Sequence, residues 1–185
     1  QQSYVLDASN TGLGDELVNN GDFSSDTAIG DDPTGWTDHT SYTPVSSGMS
    51  SEQLYNGRNT YKIVGNSTSD GVRASLDGNY VSGFTYKIDI WVYVTPGSTV
   101  VNSNPPDNHF ASGTQNIVSS TTTGEWEKIT SYATANDDAT NPVDAWFIQQ
   151  GASGDCTFYI GEISIKPVNV KNHATTVFYG DEQIS

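Results

Sequence analysis

The sequence predicts an all-β fold, a sandwich or barrel of short antiparallel strands, and three observations carry that prediction. Apolar residues come in short runs that alternate with polar ones, the pattern of half-buried strands rather than helices. Gly, Ser, Thr, Asn and Asp fill the spaces between runs and supply turn chemistry. The runs recur at roughly 8–12-residue intervals, the spacing of sandwiches and barrels. No window shows helical periodicity, and no stretch approaches the roughly 18 apolar residues of a membrane span. At 185 residues the chain is most simply one domain with a substantial core.

The pattern is clearest at residues 86–95. Tyr86, Ile88, Ile90, Val92 and Val94 share one face; Lys87, Asp89, Trp91, Tyr93 and Thr95 share the other. The aliphatic face belongs in a core. The opposite face sets two aromatics beside a carboxylate, which suits either a ligand platform or a second packed face.

Taken in order, residues 1–14 read as an arm with one apolar patch, Tyr4-Val5-Leu6. Residues 16–23 read as a short strand running into an Asn20-Gly21 turn. The stretch 24–53 is polar and loop-like, and its lone Trp36 reads as a plug at the end of a core. Strands are predicted at 60–64, after an Asn56-Gly57 turn, and at 72–76, before Asp77-Gly78. The strand 86–95 stops at Pro96-Gly97, and 102–116 reads as a long loop or an edge hairpin. Further strands are predicted at 126–135, 145–150 and 157–166. In the last, Phe158 and Ile160 are out of phase with Ile163 and Ile165, so a bulge at Gly161-Glu162 is needed for all four to face one core. Residues 167–185 form a second arm, containing the strand-like Val177-Phe178-Tyr179.

Composition narrows the function. A net charge of −15 repels phosphate backbones and excludes nucleic-acid binding. The single cysteine, Cys156, lies in an apolar run and reads as a buried, inert thiol. His39, His109 and His173 form no metal-binding pair, no Gly-x-Ser-x-Gly elbow is present, and Glu125 and Glu127 flank a strand position beside Lys128 as a solvated face would. No catalytic residue is assigned.

Five landmarks occur in a telling order: Leu17-Val18-Asn19-Asn20-Gly21-Asp22-Phe23, Gly35-Trp36, the strand opening at Tyr86, Gly124-Glu125-Trp126, and the closing run Thr157 to Ile165. Together they resemble carbohydrate-binding modules of the family 4/9/22 type. The resemblance implies a jelly-roll β-sandwich of two antiparallel sheets spanning 15–166, flanked by the arms 1–14 and 167–185. It also implies sugar stacking on Trp91 and Tyr93 with Asp89 fixing hydroxyls, and a structural calcium ion held by Asp22 and Glu162. Two of the acids usual in that calcium site are missing here, replaced by Ser24 and Gly161.

The tail from Lys171 to Glu182 resembles linkers in marine bacteriophage structural proteins. That resemblance implies a non-enzymatic virion protein, a capsid decoration, head-fibre or tail-associated component at the virion surface. Its arms, through Tyr4, Val5, Leu6, Val177, Phe178 and Tyr179, would contact other virion proteins or copies of itself. Two alternatives stand beside it: a secreted module that binds surface glycans, and an extracellular filament subunit joined by strand exchange. None of the three calls for membrane insertion.

Overall fold

The structure is a computed structural model that describes residues 13–26, 28–76, 80–104, 110, 117–135 and 146–168. The arm residues Tyr4, Val5, Leu6, Val177, Phe178 and Tyr179, and also His109 and His173, lie outside these. Ten strands follow in order among the described residues: β1 Trp36–Asp38, β2 Ser46–Tyr55, β3 Arg58–Gly65, β4 Gly71–Ala74, β5 Thr85–Val94, β6 Val101–Asn104, β7 Val118–Ser119, β8 Trp126–Thr134, β9 Trp146–Gln150 and β10 Cys156–Pro167. They form two five-stranded antiparallel sheets, ordered β1-β4-β9-β6-β7 and β2-β3-β10-β5-β8. This is the predicted all-β sandwich.

The core lies between the sheets and is built by alternation. Tyr86, Ile88, Ile90, Val92 and Val94 of β5 are each at most 1% exposed, whereas their neighbours along the strand are half-exposed. The register of β10 against β5 shifts between Ile160 and Glu162, which is the predicted bulge. One extra residue there lets Phe158, Ile160, Ile163 and Ile165 all enter the core. Trp36 plugs the core, its ring 5.1 Å from Phe23 and 5.6 Å from Tyr61. Cys156 is buried, and burial raises its thiol pKa, so the thiolate that reactivity requires is disfavoured.

Two expectations of the local reading change. Residues 16–23 form no strand: Val18 makes a single bridge to Leu76, and Asn20 and Phe23 adopt positive φ. The polar stretch 24–53, read as loop, contains β1 and the first eight residues of β2. Ser46, Ser47, Ser50 and Ser51 carry no strand signal, yet β2 lies at the sheet edge, where one face needs little apolar cover and pairing with β3 decides the conformation. Asn56 and Gly57 both have positive φ and close the β2–β3 hairpin in two residues.

The ends of the described sandwich lie side by side. Gly14 N–H donates to Pro167 O at 2.7 Å, Leu17 N–H to Ile165 O at 3.0 Å, and Leu13 bridges Val168. Glu16 reinforces the seam by accepting from Ile165 N–H and Ser164 Oγ.

Candidate functional site

Each sheet has an outer face, and the two differ in chemistry. On the β1-β4-β9-β6-β7 sheet, strand register lines up two rows pointing away from the core. One row carries Thr37, Arg73 and Asn104, Thr37 paired with Arg73 and the backbone of position 147 lying between Arg73 and Asn104. The other runs Gly71, Gln149, Asn102, Ser119. His39 extends that row, its N–H donating to Gly71 O at 2.9 Å.

The second row has a recess. Gly71 stands opposite Gln149, and a Cβ there would lie 2.6 Å from the Gln149 Cβ, so only glycine lets this glutamine settle across β4. Gln149 is 9% exposed even though it points away from the core. No hydrogen bond to its side-chain amide is found among the described residues, and its polar atoms are not among those cut off from water. Asn104 differs, its Oδ1 being buried with no partner among the described residues. A buried amide oxygen lacking a partner forfeits hydrogen bonds it would make in water, so such a group is open to a ligand or to ordered water. Asn102 Oδ1 accepts from Ser119 Oγ at 2.8 Å, and Arg73 Nε donates to Thr37 Oγ1 at 2.7 Å. At one margin the His39 and Tyr42 rings pack 5.0 Å apart, and Tyr42 remains 48% exposed.

The outer face of β2-β3-β10-β5-β8 is aromatic. Trp91 and Tyr93 of β5 meet Tyr55, Trp126 and Tyr159: Tyr55 lies 5.4 Å from Trp91 and 5.0 Å from Trp126, and Tyr93 lies 5.7 Å from Trp126 and 6.0 Å from Tyr159. The tip of the β2–β3 hairpin causes this gathering by folding over the sheet. Trp126 Nε1 donates to Leu54 O at 3.1 Å, and the Tyr55 ring sits where a Gly161 side chain would be, 2.5 Å from an idealised Cβ. Bulge glycine and hairpin tip are thus fitted to one another. Asp89 stands on this face with its carboxylate filled: Lys87 Nζ and Lys128 Nζ are both 2.8 Å from Oδ2, and Thr130 Oγ1 donates to Oδ1 at 2.7 Å. Burial pushes its pKa up, and the bonds from Lys128, Lys87 and Thr130 outweigh that and hold it below the usual value.

With both faces described, comparison identifies the scaffold. The family described as Carbohydrate binding domain matches residues 15–154, more than half of the chain. This chain belongs to that family. No curated protein matches it in sequence. Among solved structures, a family 16 carbohydrate binding module is 19% identical with a TM-score of 0.53, the match covering 80% of this chain and 98% of the module. A family 22 xylan-binding domain from Paenibacillus barcinonensis is 14% identical with a TM-score of 0.55, covering 84% and 94% respectively. An arabinose-bound α-L-arabinofuranosidase is 18% identical with a TM-score of 0.62, but the match spans 85% of this chain and only 27% of that enzyme. At these identities the likenesses establish the jelly-roll fold and nothing finer.

The calcium ion implied by the family resemblance does not suit the residues present in this carbohydrate binding domain. Asp22 and Glu162 do converge, but on Arg58: Nη1 bonds Asp22 Oδ2, and Nη2 lies 3.8 Å from Glu162 Oε2. The second Asp22 oxygen accepts from Ser24 N–H at 3.1 Å. Among the described residues no three His, Cys, Asp or Glu side chains gather in reach of one ion. Gly161, where an acid is usual, is covered by Tyr55. The cleft beside these carboxylates, about 460 Å³ in volume, already holds the Glu16 and Lys166 side chains as well.

Sequence reasoning found Trp91, Tyr93 and Asp89 on one face, and the structure brings them together there. It missed Tyr55 and Trp126 as their partners, because the hairpin crossover is a tertiary event. It also missed Arg73, Gln149, Asn102 and Asn104. Their signal was alternation: Arg73, Asn102 and Gln149 each stand between two buried residues, and Asn104 continues the outward phase of β6.

Proposed function

We propose that this chain is a non-catalytic glycan-binding module, working outside the cell, that takes its sugar on the outer face of the β1-β4-β9-β6-β7 sheet. Family membership supplies the class of ligand. The single observation that carries the placement is the Asn104 Oδ1, buried with no partner among the described residues on the face where Gln149 is recessed beside Gly71. Adjacent sugar hydroxyls present donor and acceptor pairs that planar amide and guanidinium groups match, and an aromatic margin such as Tyr42 suits the C–H face of a sugar ring.

A second reading places the sugar on Trp91, Tyr93 and Trp126, which keep partly open rings. Two features make that face the weaker candidate: its rings are engaged by the hairpin tip, and the Asp89 carboxylate is taken up by two lysines. The virion and filament readings rest on the arms, outside the described residues, and the family match favours the glycan-binding reading over both.

A glycan array decides between the faces. Gln149→Ala is expected to lose at least tenfold in apparent affinity with an unchanged melting temperature, while Trp91→Ala keeps its binding. The opposite pattern moves the site to the aromatic face. No binding by the parent protein at millimolar glycan rejects the function.

A further inference from the structure

Six lysines and arginines lie among the described residues, in a chain carrying 22 acidic side chains. Five of the six are ion-paired: Arg58 with Asp22, Lys62 with Glu52, Lys87 and Lys128 with Asp89, and Lys166 with Glu16. Arg73 is the exception. Among the described residues its side chain bonds only the neutral Thr37 hydroxyl, through Nε, and the two terminal nitrogens of its guanidinium meet no carboxylate. In a chain where acids outnumber bases about threefold, Arg73 is the one described cation with no described carboxylate beside it, which leaves its charge open to a partner from outside the chain.

The position of Arg73 says what carries that charge. It stands on β4, two residues from the Gly71 recess and in the row that ends at Asn104, whose Oδ1 has no partner among the described residues. Resting on the glycan-binding reading above, we infer that the ligand is an acidic glycan, with the carboxylate of a uronic acid residue seated on the Arg73 guanidinium and neighbouring hydroxyls on Gln149 and Asn104. With Nε held by Thr37, Nη1 and Nη2 are left as a parallel pair of donors, the geometry that meets both oxygens of a planar carboxylate.

The overall charge of −15 does not oppose this at contact range. At physiological salt the screening length is about 8 Å, so the distant acids act weakly on a group touching the guanidinium. What the net charge does is slow association and reject polyanions that lack a sugar to match the amides.

The test uses polygalacturonate and its carboxyl-reduced derivative, which share a chain and differ in charge, measured by affinity electrophoresis and calorimetry. The intact protein is expected to bind the acidic polymer at least tenfold more tightly, and the preference should shrink as NaCl is raised. Arg73→Gln should bind the two polymers equally, and Arg73→Lys should retain part of the preference, which shows that the charge and not the fold is responsible. Equal or tighter binding of the reduced polymer by the intact protein overturns the inference and leaves the glycan-binding reading standing. Preference for a sulfated glycan over polygalacturonate overturns the carboxylate assignment. Binding neither to polygalacturonate, nor to its reduced derivative, nor to any polymer in a wider neutral panel rejects both together.

Discussion

Asp89 accepts from two lysines and a threonine on a face that water still reaches, and its ionisation is therefore linked to folding. Its folded pKa lies below the ordinary carboxyl value of about 3.9. A depressed carboxyl pKa contributes stability above the unfolded value and loses it as pH falls through the folded one. Asp89→Asn should accordingly cost about 1–2 kcal/mol at pH 7, the scale of hydrogen bonds to a charged group. That cost should shrink towards zero as pH falls through the lowered pKa of the parent carboxyl. Urea titrations at several pH values measure it, and a cost that stays constant into acid would mean that the charge contributes nothing. Gln149 is the opposite kind of residue, a polar group with no partner among the described residues, and its substitution is expected to register in binding and not in stability.

The β2–β3 hairpin shows what an element adds beyond its residues. Its tip carries Tyr55 across the sheet to Trp91 and Trp126 and brings Arg58 between Asp22 and Glu162. Ring pairs of this sort contribute about 0.5–1.5 kcal/mol each beyond the area they bury. Because the guanidinium already supplies positive charge to both carboxylates, the melting temperature should not change on dialysis against EDTA or on adding calcium. Arg58→Gln should lower stability by about 0.5–1 kcal/mol after allowance for solvent screening at this partly exposed pair. A drop in melting temperature with EDTA, restored by calcium, would show that a metal is held after all. The hairpin was only half legible in sequence. Asn56-Gly57 announces the turn and Thr60 to Val64 the second strand, whereas serine-rich β2 gives no signal until β3 is there to pair with it. The β10 bulge was fully legible, because a phase slip between Ile160 and Ile163 has one inexpensive remedy.

At the scale of the molecule, two sheets enclose one core and offer two unlike outer faces, one polar with an unsatisfied amide and one aromatic and self-engaged. The sandwich could be read from alternation, because burial writes itself into every second residue of a strand. The candidate site could not. Arg73, Asn104 and Gln149 sit on three strands, 31 and then 45 positions apart along the chain, and only sheet order sets them side by side. The aromatic face drew attention in the sequence because Trp and Tyr are conspicuous there, while an asparagine oxygen lacking a partner is visible only when its neighbours are in place. The described ends of the sandwich meet at the end of β10, where Leu13 bridges Val168 and Gly14 N–H donates to Pro167 O.

The central claim is one of location, and a nitrogen-15 NMR titration with the tightest-binding oligosaccharide from the array tests it most directly. The account predicts that the backbone amides of Arg73, Gln149 and Asn102 and the side-chain amides of Gln149 and Asn104 shift in a saturable, concerted way, while the indole N–H signals of Trp91 and Trp126 stay in place. Saturable shifts at those indoles, with Gln149 and Arg73 unmoved, would contradict it.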